Sequence, residues 1–226
     1  MSKIKPKFGK CPLCLRETEL TEEHIPPQGV FLNIPNNEFF EIYSCKECNN
    51  KTHKDDEYFR NFIAMANSNN PQKRKLYEEK TVKSSYVRSP GLKSLARDEY
   101  QLAQKYLNQN PLYDIYGNQV AEGLTFANAE RISNVLVKMV KGLYYYKEKR
   151  YMPENFTIID LKLHHPQSSP IFSTLERRII NNCKGKIGNE FCDFIYSYKI
   201  YDIHSRKMKW HFMFYKAIIF EVDITL

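Results

Sequence analysis

The stretch from Cys11 to Glu57 constrains this chain more than any other. Two CxxC pairs, Cys11/Cys14 and Cys45/Cys48, bracket an adjacent acid and imidazole, Glu23-His24. Asn49 follows the last cysteine directly, and His53 comes one helical turn later. A CxxC turn folds back and aims two thiolates at one point, so two such turns suit a tetrahedral zinc. Cys11, Cys14, Cys45 and Cys48 would fill its coordination shell, which makes that zinc structural. Glu23, His24, Asn49 and His53 are then left for chemistry.

The wider composition narrows the setting. Six cysteines would allow disulfides in a secreted chain, but MSKIKPKFGK has no apolar h-region and reads as a basic tail. Zinc in a reducing, cytoplasmic setting fits better, with Cys183 and Cys192 as ordinary thiols. No apolar run approaches the ~18 residues of a membrane span, so no membrane partner is expected. Residues 1–60 carry nine Lys/Arg against ten Asp/Glu, and the rest carries 25 against 16, so the net +8 belongs to the later region. A basic lobe beside a metal site suits a polyanion such as nucleic acid, although charge alone also serves solubility. Of the sixteen Tyr and fourteen Phe, some could stack on bases, but core is the ordinary place for them.

Element by element, residues 1–10 read as a flexible tail. Residues 20–25 read as a strand carrying Glu23 and His24, ended by Pro26-Pro27, which lack the ladder N–H. Residues 28–37 read as a loop, and 38–44 as a second strand. A helix is expected from about Asn49 to Asn67, with Asp55, Asp56 and Glu57 on its solvated face or, for one of them, supporting a ligand. NSNNP at 67–71 breaks it. Residues 73–83 read as a charged helix, 83–94 as a linker, 95–108 as a helix and 111–120 as turns. Residues 126–149 hold the strongest helix, with an apolar stripe from Ile132 to Leu143 and Arg131, Lys138, Lys141 and Lys147 on its other side. Residues 156–163 alternate like a strand and 172–181 read as a short helix. Two long β-rich runs after residue 190 look like a hairpin turning at His204-Ser205-Arg206. His164, His165, His204 and His211 lack metal spacing.

Hydrolysis of a phosphodiester needs a base for water, a cation for the phosphate and leaving oxygen, and positioning of both. An imidazole exchanges protons near neutral pH, which makes His24 the natural base. Glu23 and Asn49 offer oxygen ligands that favour Mg²⁺ or Mn²⁺, and His53 as a third ligand would also admit Zn²⁺ or Ni²⁺. His53 could equally be a phosphate contact or a solvent-facing residue. Lys138 and Lys141 are candidate phosphate contacts.

CPLC, EEHIPP and CKECNN together resemble the zinc-stapled, four-cysteine branch of the HNH endonucleases, the ββα-metal or His-Me finger superfamily. The resemblance covers about the first 60 residues. It implies an acidic metal ligand at Glu23, where most members have Asp or His, a general base at His24 and a helix-borne metal ligand at Asn49. His53 matches the second position of the HxxxH helix of other branches. The family's bracing Asn falls nearest Asn36 or Asn37.

The expected fold is therefore α+β: a zinc-stapled ββα-metal nuclease unit over residues 1–70, a helix and linker over 71–94, and a helical and antiparallel-β lobe over 95–226 for substrate or partner binding. The expected function is metal-dependent endonuclease on DNA, with RNA as a further substrate class and phage defence or a mobile element as the setting the resemblance implies. A protein partner or homo-oligomer would use the second lobe. The contrasting expectation is a non-catalytic zinc ribbon that binds nucleic acid or protein.

Overall fold

A computed structural model describes residues 7–35, 38–66, 70–109, 128–166, 169–188, 193–202 and 207–225. Its first layer is a three-stranded antiparallel sheet of β1 (Lys7–Lys10), β2 (Glu17–Ile25) and β3 (Phe40–Cys45), in that order. Residues 7–10, expected in a flexible tail, pair with Glu17–Leu20, so the strand carrying Glu23 starts earlier than its apolar residues suggested. The second knuckle opens the first of two helices, α1 (Lys46–Lys51), capped by Cys45, which is followed by α2 (His53–Met65), with a joint at Thr52 where one helix was expected.

Residues 83–94, read as a linker from their Ser, Pro and Gly content, are largely helical. Asn70 caps α3 (Pro71–Leu76) by accepting hydrogen bonds from the Gln72 and Lys73 amides. The chain continues through a π-helical stretch, Tyr77–Ser85, into α4 (Tyr86–Arg88) and α5 (Pro90–Gln109). Pro90 opens α5 instead of interrupting it, because its missing N–H falls in the first turn.

Asn128 caps α6 (Ala129–Glu148) through the Arg131 amide. The second sheet has five antiparallel strands in the order β4 (Thr157–His164), β8 (Ile218–Thr225), β7 (Lys207–Phe214), β6 (Phe194–Asp202) and β5 (Gly185–Ile187). β6 and β7 pair as the hairpin expectation required, and their connection lies outside the described residues. So do Asn36, Asn37, Cys192, His204 and the 111–120 segment. One face of this sheet, with Ile195, Met213 and Ile219, is covered by α7 (Phe172–Asn181) through Phe172, Leu175 and Ile179. The other face joins a single apolar core shared with the first sheet, α2 and α6. Phe59 of α2 stacks on Phe220 of β8 with ring centres 5.5 Å apart.

Gly142 sets how closely α6 approaches the first sheet. A Cβ there would lie 2.8 Å from Ile25 Cγ1 and 3.3 Å from Ile42 Cδ1. One helical turn earlier on the same face sits Lys138, and on β2 Glu23 shares the face of Ile25. Close helix–sheet packing at Gly142 therefore delivers Lys138 to Glu23. Among the described residues, no helix is long and apolar enough to cross a membrane.

Candidate functional site

The four cysteines of the two CxxC pairs converge. Their sulfurs all lie within 4.8 Å of one another, and Cys14 Sγ to Cys45 Sγ is 3.7 Å. Tetrahedral zinc with Zn–S bonds of about 2.3 Å puts sulfurs about 3.8 Å apart, so the set can hold a zinc ion. Backbone N–H groups already point at the sulfurs: Cys45 N–H donates to Cys11 Sγ at 3.3 Å and Cys48 N–H to Cys45 Sγ at 3.4 Å. Burial pushes the Cys14 thiol up, but the Arg16 guanidinium, 3.4 Å away, and its neighbours outweigh that and bring it down to about 6. Burial dominates at Cys11 and Cys48 and raises both thiols. Arg16 also spans to Glu47 at 2.6 Å, which ties the first knuckle to α1. Cys183 is exposed and outside the cluster.

Beside the knuckles opens a cleft of about 850 Å³ whose lining includes Glu23, His24, Asn49 and His53. The strand period separates the first two. Glu22 and His24 lie on one face of β2, with Glu41 directly across on β3, while Glu23 lies on the face turned towards the helices. His24 Nε2 stands 3.8 Å from Glu22 Oε1 and 3.6 Å from Glu41 Oε1, beyond hydrogen-bond range, and is closed from solvent without a partner. The ring packs edge-on against Phe39. Asn49 donates its amide N–H to the Glu22 carbonyl at 3.2 Å, so its side-chain oxygen is the atom that could hold a cation. His53 is exposed at the start of α2.

Glu23 is buried, and one of its oxygens is committed. Lys138 Nζ donates to Glu23 Oε1 at 3.1 Å, to Thr52 Oγ1 at 3.0 Å and to Asp56 Oδ2 at 2.7 Å. Burial pushes both carboxyls up, against the opposing pull of the Lys138 ammonium. Glu23 Oε2 and Asp56 Oδ1 have no hydrogen-bond partner. Lys138, expected on the outer face of α6 as a phosphate contact, is instead 3% exposed and enclosed by these groups. Lys141 Nζ donates to the Leu13 carbonyl at 2.9 Å and lies over the Phe156 ring, so it clamps the first knuckle. Both ammonium groups are thus occupied by the protein.

The far wall of the cleft comes from residues outside the sequence expectation. Arg60, Lys80, Ser84, Arg88 and Ser89 line it, most of them from the stretch between α3 and α5. Glu57 holds this wall to α2: it accepts from Ser85 Oγ at 2.8 Å and pairs with Arg60 at 3.2 Å and Arg88 at 3.5 Å. Burial raises the Glu57 carboxyl, but Ser85 and the two guanidinium groups outweigh it and hold it below its ordinary value. Lys80, in the stretch read as a charged helix, and Arg88, in the stretch whose Ser and Pro read as a linker, were the signal for a basic wall. The floor at Pro27–Gly29 is fixed from the second sheet. Tyr215 and Lys216 turn the β7–β8 hairpin at φ 53° and 51°, and the buried Tyr215 hydroxyl donates to the Val30 carbonyl at 2.8 Å.

No protein-family model matches the chain, and neither a curated protein nor a solved structure matches it significantly. What the site defines by its own geometry is an α+β protein with a four-cysteine cluster able to hold zinc and a polar cleft beside it.

Proposed function

We propose that this chain is a metal-dependent endonuclease of the HNH, ββα-metal class that hydrolyses phosphodiester bonds in DNA. The observation that carries the reading is that Glu23, His24, Asn49 and His53 line one cleft beside the four-cysteine cluster. Acid, imidazole and amide oxygen are the groups that metal-assisted phosphodiester hydrolysis needs. Glu23 Oε2, buried without a partner, and the Asn49 amide oxygen fit a hard cation such as Mg²⁺ or Mn²⁺, with His53 at the rim. Such a cation, when bound, neutralises charge on the phosphate and on the 3′ leaving oxygen. His24 takes the proton as the water oxygen bonds to phosphorus, and the P–O3′ bond breaks with its electron pair on O3′. Glu22 and Glu41 flank the imidazolium that this produces. Lys80 and Arg88 on the opposite wall offer positive charge to the strand.

The test is a nicking assay on supercoiled plasmid with Mg²⁺ or Mn²⁺, run beside linear, single-stranded and RNA substrates. Cleavage that His24→Ala abolishes supports the reading, and cleavage of RNA alone moves it to a ribonuclease. The second reading is a non-catalytic zinc-stabilised binding module. The Lys138 contact on Glu23 favours it, because an ion-paired carboxylate needs no metal. DNA binding without cleavage under any metal would select the module.

A further inference from the structure

The buried group around Lys138 is one positive charge short. Glu23 and Asp56 face a single ammonium from β2 and α2, and Thr52 adds only a hydroxyl, which also donates to Asp56 Oδ2 at 3.3 Å. With both ionised, two carboxylates against one ammonium carry a net −1, and the Lys138 and Glu23 side chains are only 2% and 7% exposed. Uncompensated buried charge is costly, and each carboxylate keeps one oxygen without a partner, Glu23 Oε2 and Asp56 Oδ1. Lys138 Nζ bonds Oε1 of Glu23 and Oδ2 of Asp56, so one ammonium ties the two carboxylates to the same point. Both residues line the cleft.

We infer that Asp56 is a ligand of a divalent oxygen-seeking cation, which it shares with Glu23 through these two orphan oxygens. Lys138 is the permanent counter-charge that positions both. Asp56 Oδ1 and Glu23 Oε2 are hard donors, which selects Mg²⁺ or Mn²⁺ over a thiophilic ion. Lys138 answers one of the negative charges and leaves the other for the metal, so the seat binds a cation without collapsing into a closed ion pair. The seat lies in the cleft of the proposed nuclease and deepens that reading, but its binding is measured without any substrate.

The experiment titrates Mn²⁺ into the zinc-loaded full-length protein and reads free Mn²⁺ by electron paramagnetic resonance, to which zinc is silent. One Mn²⁺ should bind, and Asp56→Asn and Glu23→Gln should each weaken it by at least about tenfold. Glu22→Gln and Glu41→Gln should leave affinity within about twofold. A second measurement keeps the wild-type protein: Fe²⁺ in the same seat, with ascorbate and peroxide, should cut the backbone beside residue 56. Absence of Mn²⁺ binding at millimolar concentration overturns the inference. So does undiminished binding in Asp56→Asn, or loss of binding and backbone cutting confined to Glu22, His24 and Glu41. Binding that depends on Asp56, with no cleavage of any nucleic acid, upholds the cation seat while refuting the nuclease.

Discussion

Lys138 and Glu23 lie 115 positions apart in the chain, yet their side chains form a buried ion pair of 3.1 Å. The same ammonium reaches Asp56 at 2.7 Å, so one lysine from α6 joins the strand and the helix that carry the candidate site. Gly142 makes this reach available, since any side chain there would meet Ile25.

Replacing Lys138 by Met should therefore be severe. It leaves Glu23 and Asp56 buried together without their counter-charge, a loss on the order of 3–5 kcal/mol. Urea unfolding at neutral pH checks this. A cost below about 1 kcal/mol would mean that the carboxylates find other compensation.

Loss of a zinc ligand should destabilise the N-terminal unit. Cys45→Ser is expected to lose the zinc and to melt at a lower temperature, because the metal's binding free energy adds to folding at the knuckle end of the shared core. Cys183→Ser should change neither, since that thiol lies outside the cluster. Metal analysis with calorimetry decides, and a full zinc equivalent retained in Cys45→Ser would refute the ligand set.

Glu57 sets a pH dependence on the cleft wall. Its carboxyl is held below the ordinary value of 4.5, so the stabilisation is present above that pH. It is lost as pH falls through the depressed folded value. Glu57→Gln should cost on the order of 1 kcal/mol at pH 7, given the partial exposure of the group. The gap between wild type and variant should close in acid. A gap of constant size from pH 7 to pH 3 would show that the charge is not the source.

On plasmid substrate, His24→Ala should lose at least about 10²-fold in cleavage, with zinc content unchanged. Asn49→Ala should lose less and regain part of its rate at high Mg²⁺ or Mn²⁺, as expected of a ligand. Metal should not rescue His24→Ala. Rescue of both to the same extent would assign His24 to the metal instead of the proton.

Lys80→Ala and Arg88→Ala should each weaken DNA binding across sequences and lower the salt slope by about one. Binding isotherms at several salt concentrations test this. Unchanged slopes would move the DNA path away from the wall between α3 and α5.

The sequence alone determined the parts that depend on neighbours in the chain. The two CxxC spacings specified the four-cysteine cluster, because each pair is preset by its own tight turn. Periodicity located α6, α7 and the strands β2, β3, β4 and β6, and it marked β7 and β8 as one β-rich run, since amphipathic repeats record which face is buried. It failed over residues 83–94, where Ser, Pro and Gly signal a break but Pro90 falls in a first helical turn. Only the tertiary structure decided the environment of the site. Lysine on a helix is ordinarily exposed, and nothing local distinguishes Lys138 from Lys147. What separates them is that α6 packs onto the first sheet at Gly142, which turns one lysine inward to meet Glu23 and Asp56. Strand alternation likewise put Glu23 and His24 on opposite faces, so the adjacent pair meets two different sets of neighbours. Such pairings join residues far apart in the chain, and no local propensity encodes them.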